Sequence, residues 1–183
     1  TDYHAAASGL GIALARPPLV TAGGKKMSVP FQLLPFTYPN GDRKNSEAIF
    51  VDPTSGRPYV ITKEDVGRAS LVYRFPLPLT PGVSVELELV GASPVPASND
   101  LQLTSADASP CGDAILLRTY GRLWMLRAGP SGLESAFTST PINMPVLQED
   151  QGEAVAFSAD GRSYFTSSET IVDPAPLNTS SCR

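Results

Sequence analysis

The sequence predicts an all-β fold, and within that class part of a β-propeller, on three observations. One pattern, an apolar strand, a tight turn and a second apolar strand, occurs three times. The copies are EAIFVDPTSGRPYVIT (residues 47–62), TSADASPCGDAILLRT (104–119) and EAVAFSADGRSYFTSS (153–168). They recur at a spacing of about fifty residues, the period of stacked sheet modules that cannot bury their faces alone. Finally, 18 Pro and 15 Gly punctuate a chain of 183 residues that is 42% apolar and only 17% charged. That composition suits short strands and turns better than a helical bundle.

In chain order, residues 1–45 supply leading strand material. Residues 28–38 (SVPFQLLPFTY) read as an extended edge strand, because Pro30 and Pro35 have no N–H to give to a ladder. Pro39-Asn40-Gly41-Asp42 is a turn, since Asn-Gly readily adopts positive φ. The first blade spans 46–91, with strands at 48–51, 58–62 and 70–75. Residues 83–90 (VSVELELV) alternate strictly, which predicts an outermost fourth strand with Glu86 and Glu88 outward. The second blade spans 101–147, with strands at 103–108, 114–119 and 123–126; its fourth element is left open, since 132–137 reads as either strand or helical turn. The third module, 151–183, gives two strands, 153–157 and 163–168, and then a polar tail.

Three blades do not close a ring, for propellers use about four or more. An open stack leaves sheet faces bare. The reading is therefore a partial propeller, about three to four blades in this chain, completed by a companion polypeptide segment or a second copy of itself, with a small closed variant as the remaining alternative.

Bulk properties narrow the function classes. The net charge is −4 and the 14 basic residues are scattered, which argues against nucleic-acid binding, where phosphate neutralisation drives affinity. No apolar run reaches the length of a membrane span. The start, without Met or a basic leader, reads as processed or cut rather than as a retained signal peptide. His4 is the only histidine, which argues against a Ser-His-Asp triad or a multi-histidine zinc site. Cys111 and Cys182 permit one disulfide, and Asn178-Thr179-Ser180 is a glycosylation sequon; together they point to a secreted or periplasmic protein.

Three stretches, 34–64, 103–124 and 145–169, resemble a group of largely uncharacterised secreted bacterial propeller proteins. The likeness covers about three quarters of the chain and matches the C-terminal half of those proteins. It implies a propeller fold in an extracytoplasmic setting and brings no established reaction. The turn at Cys111 departs from the family's Ser-Pro-Asp-Gly pattern.

Aligning the repeats puts Glu47 and Glu153 at one position, just before the first strand, with Thr104 between them. First strands line a propeller's channel, so these carboxylates, joined by Asp107, can converge on Ca²⁺, a cation that takes six to eight oxygens. Lactonase-like and phytase-like propellers hold Ca²⁺ in broadly this way. Each Glu equally fits a turn cap or an ion pair within its own blade. Asp52, Asp113 and Asp160 read as turn acids that accept local N–H bonds. A Cys111–Cys182 bridge would tie the tail to the second module and contribute roughly 3–4 kcal/mol. Trp124, beside Tyr120 and Arg122, fits either a sugar-stacking platform or blade-to-blade core. Two functions follow: a non-catalytic binding or scaffold propeller, or a Ca²⁺-dependent hydrolase.

Overall fold

A computed structural model describes residues 11–15, 30–95, 102–147, 149, 151–169 and 176–181. The strands described are β1 (Gly11–Ala15), β2 (Phe31–Thr37), β3 (Ser46–Val51), β4 (Pro58–Thr62), β5 (Leu71–Arg74), β6 (Val85–Glu86) and β7 (Glu88–Ala92). They continue with β8 (Leu103–Ala108), β9 (Ala114–Thr119), β10 (Leu123–Arg127), β11 (Ile142–Met144), β12 (Gly152–Phe157), β13 (Ser163–Ser168) and β14 (Leu177–Ser181). These elements fall into two compact units.

The smaller unit takes the described residues up to Arg43 together with Phe75–Glu88. Its sheet has the order β1-β2-β6, with β6 parallel to β2. The expected edge strand is therefore a central one. Proline is tolerated there because the two ladders use different residues: β1 pairs with 31–35 and β6 with 36–37. Pro35 closes the first ladder opposite Gly11. Phe36 packs edge-on against Tyr38 and Phe75, with centroids 5.6 and 5.4 Å apart. The turn at 39–41 places Asn40 at φ 60°, as its sequence predicts.

The larger unit holds three antiparallel sheets. Blade one has the order β3-β4-β5-β7, blade two β11-β10-β9-β8, and blade three β12-β13-β14. Their inner strands lie in series, β3 beside β8 and β8 beside β12. Two expectations are corrected here. The alternating run 83–90 is not one outermost strand: β6 leaves for the smaller unit, Leu87 is buried, and only β7 edges blade one. Periodicity specifies a face and not a partner, so it did not reveal the break. Glu86 and Glu88 are exposed, as expected. The polar tail also carries a third strand, β14, whose Ser/Thr-rich sequence has little apolar signal.

Apolar alternation builds the two junctions. β3 buries Ala48 and Phe50 between exposed Glu47, Ile49 and Val51. Ala48, Phe50, Tyr59 and Ile61 of blade one share a core with Leu103, Ala106, Ile115 and Leu117 of blade two. A 3₁₀ helix at Leu133–Thr138 adds Leu133, Ala136 and Phe137, the helical-turn alternative for 132–137. The opposite face of blade two, Ala114, Leu116, Leu123, Met125 and Met144, meets Val155 and Tyr164 of blade three. β9 is buried along its whole length, as a middle strand with a neighbour on each face must be. Each fully buried Leu or Ile stabilises these junctions by about 1.5–3 kcal/mol.

Candidate functional site: the polar mouth of the inner strands

All three inner strands carry a register irregularity at one place: between Ser46 and Ala48, between Leu103 and Ser105, and between Gly152 and Ala154. The extra residues are Glu47, Thr104 and Glu153, the aligned positions singled out in the sequence. A bulge frees a residue from the ladder and re-aims its side chain. Here the freed side chains mostly bind protein.

Glu47 takes both of its oxygens to one ammonium, with Lys63 Nζ at 2.9 and 2.8 Å. Lys63 also donates to the hydroxyl of Tyr120, on the turn after β9, and so links blade one to blade two. Burial pulls the Lys63 pKa down, but the bonds to Glu47 and Tyr120 outweigh it and hold the group above its ordinary value. Thr104 Oγ1 donates to the Gly152 carbonyl at 2.7 Å. Glu153 accepts from Gln151 Nε2 at 2.9 Å.

One strand-step inward, blade two stitches itself to blade three. Ser105 Oγ accepts from Val155 N–H at 3.3 Å, and Asp107 Oδ2 from Phe157 N–H at 2.7 Å. Val155 and Phe157 give these N–H groups to β8 side chains from the edge of β12 that pairs with no strand among the described residues. Asp107 Oδ1 accepts from Ala108 N–H at 3.0 Å. Burial raises the Asp107 pKa, and the two N–H bonds only partly offset it.

Arg118, at the end of β9, is the buried charge of this region. Its Nη2 lies 2.7 Å from Glu149 Oε2, and the two side chains are 1% and 2% exposed. Glu149 Oε1 accepts from Thr166 Oγ1 at 2.6 Å and from Asn178 Nδ2 at 2.8 Å, so β13 and β14 are tied in. Burial lowers the Arg118 pKa, opposed by Glu149 and Glu153. A Cβ on Gly152 would lie 1.9 Å from Arg118 Nη2, so only glycine lets the guanidinium pass over β12. Arg118 and Glu149 were missed in the sequence because an arginine in an apolar strand reads as solvent-facing; a glycine beside a bulge was the available signal.

Glu47 and Glu153 share the bulged end of the inner strands, whereas Asp107 lies near the other end of β8, and the three form no cluster. Among the described residues no group of three His, Cys, Asp or Glu is arranged to hold a metal ion. Both Glu47 oxygens and both Asp107 oxygens accept hydrogen bonds as placed.

The remaining candidates are quickly placed. Asp52, Asp113 and Asp160 are turn acids: Asp52 Oδ1 accepts from Thr54 N–H at 2.9 Å, Asp160 Oδ1 from Arg162 N–H at 3.0 Å, and Asp113 from Ser109 Oγ. Cys111 is an exposed thiol in its turn, and Cys182 lies outside the described residues. Asn178 sits in β14 and not in a loose tail, with Nδ2 engaged by Glu149. Trp124 is half-buried against the core between blades one and two, and its indole N–H is buried without a partner. Among the described residues no helix is long and apolar enough to cross a membrane.

No protein-family model matches this chain, and no curated protein matches it either. Solved structures do. A chain of the nidogen/laminin complex superposes with a TM-score of 0.50 at 9% identity, over 75% of this chain and 44% of that one. A putative 6-phosphogluconolactonase from Bacteroides uniformis gives 0.49 at 14% identity, over 84% and 47%. The chain therefore spans under half the length of these two relatives in structure. Likeness at such identity speaks to fold alone; the superposition at a TM-score of 0.50, with two four-stranded sheets and one three-stranded sheet in series, makes the modules of this chain blades of a β-propeller.

Proposed function

We propose that this chain is part of an exported, non-catalytic binding or scaffold propeller whose ring is completed by a companion polypeptide segment. The observation that carries the reading is the engagement of the mouth residues. Glu47 is held by Lys63, and Asp107 by two N–H groups. Glu47 is committed within blade one and Asp107 ties blade two to blade three, which leaves partner recognition to loops and sheet faces. That this chain covers 44% of the nidogen/laminin-complex chain it superposes on is in keeping with a larger assembly. So is blade three, where Ala154, Ala156 and Leu177 are exposed. Export rests on the Cys111 and Cys182 pair and the Asn178 sequon. The test is the intact mass and light-scattering mass of native material. A species well above 19.3 kDa that contains further propeller sequence is expected; a stable, cooperatively folded monomer of that mass overturns the companion.

A second reading, a Ca²⁺-dependent lactonase- or phytase-like hydrolase, draws on the matching bulge positions of Glu47 and Glu153. It requires Glu47 to leave Lys63 and the companion blades to supply further oxygens. Calorimetric titration of the native assembly with CaCl₂ separates the two. Binding that Glu153→Gln abolishes favours the hydrolase, and no heat favours the scaffold.

A further inference from the structure

The three inner strands are equivalent residue for residue past the bulge, and two of them show what those positions do. The first and third residues past the bulge are Ala48 and Phe50 in blade one, Ser105 and Asp107 in blade two, and Ala154 and Ala156 in blade three. Ala48 and Phe50 lie in the core shared with blade two. Ser105 and Asp107 accept the Val155 and Phe157 N–H groups of blade three. In both cases the pair seats the inner strand of the following blade, β8 on β3 and β12 on β8. In blade three the same pair is exposed.

The chemistry of this third seat differs from the other two. Strand pairing places Ala154 beside Ser167 and Leu177, and Ala156 beside Phe165 and Thr179, in two rows across one face of the sheet. Leu177 is 72% exposed. Alanine side chains accept no N–H group, so the stitching used between blades two and three cannot be repeated by this pair. Small residues also leave depth for large ones. The junction of blades one and two shows that complementarity in reverse, with Phe50 sharing a core with the small Ala106 and Ala108.

We infer that blade three seats the inner strand of a further blade, one that carries large apolar side chains at the second and fourth positions past its own bulge. This rests on the reading above that a companion polypeptide completes the ring, and it names where that polypeptide docks and what it presents. The second and fourth positions are the ones that face backward in the blades described: Ala106 and Ala108 toward blade one, Val155 and Phe157 toward blade two. In β3 they are Ile49 and Val51, 40% and 44% exposed, so a second copy of this chain is the competing occupant.

Substitution at Ala156 separates a fitted seat from a merely apolar face. On an apolar face Ala156→Leu adds contact area and strengthens association; in a seat for a large side chain it fills the space the partner needs. In the native assembly, with association read by sedimentation, Ala156→Leu is expected to weaken association about tenfold or more, and Ala156→Ser to change it less than about threefold. The position is exposed, so both variants are expected to keep the circular dichroism spectrum of the parent. With Phe165 replaced by p-benzoylphenylalanine, irradiation of the assembly is expected to cross-link the first hairpin of a companion blade, mapped by mass spectrometry. Unchanged or stronger association with Ala156→Leu, a cross-link to any other companion segment, or no cross-link in an intact assembly would each overturn the seat while the larger assembly stands. A cross-link to β3 of a second copy overturns the companion as its occupant. Native material that sediments at 19.3 kDa overturns the companion and the seat with it.

Discussion

Arg118 is a full positive charge removed from water and answered by one carboxylate. Removing a single partner of such a pair leaves the other buried and uncompensated, a loss of about 3–5 kcal/mol. Glu149→Ala is expected to show that loss in the urea midpoint. The double variant Arg118→Leu/Glu149→Leu, which removes both charges, is expected to lose distinctly less. Gly152→Ala forces the guanidinium off its path and is expected to cost about 1–3 kcal/mol. The same reasoning shows why sequence reading stopped short of this pair. Burial of a charge depends on what covers it, and Glu149, in the run Gln148-Glu149-Asp150-Gln151, looks like any solvated loop acid.

At the level of strands and blades, the two junctions respond to pH with opposite sign. Between blades two and three, burial raises the Asp107 pKa above its ordinary 3.8. Its folded form holds a proton more readily than the unfolded chain, so its contribution is greatest in acid and falls as pH rises through the raised value. Asp107→Asn is expected to flatten that part of the urea-midpoint profile. Asp107→Ala, which strands the Phe157 and Ala108 N–H groups, is expected to lose about 1–3 kcal/mol. Between blades one and two, Glu134 accepts from Tyr59 at 2.7 Å and from Arg74 at 2.8 and 2.9 Å. Burial alone would raise its pKa, but those bonds prevail and lower it, while burial and the same carboxylate push the Tyr59 phenol up. Its contribution is present above the ordinary carboxylate range and is lost as pH falls through the lowered value. Glu134→Gln is expected to remove that acid limb. The strands of blades one and two were legible because Phe50, Ile61, Ile115 and Leu117 mark them by period and type. β14 and the split at Leu87 were not, since Asn178-Thr179-Ser180-Ser181 carries no apolar period and pairing depends on distant residues.

For the molecule as a whole, the proposed companion segment would meet the exposed face of blade three. Ala154 and Ala156 alternate with Val155, which packs toward blade two, so they occupy the other face of blade three. Ala154→Glu/Ala156→Glu is expected to leave the unfolding midpoint of the isolated chain within about 0.5 kcal/mol, as surface changes do. The same variant is expected to abolish association with the companion segment in a pull-down read by light scattering; retained association would place the partner elsewhere. The shared bulge carries a different lesson. Regular strands alternate in any sheet, but one surplus residue at the same step in three modules shifts the side-chain alternation of each inner strand there in the same way. A hybrid in which one module's first hairpin is grafted onto another should therefore keep its alignment only if that surplus residue travels with it.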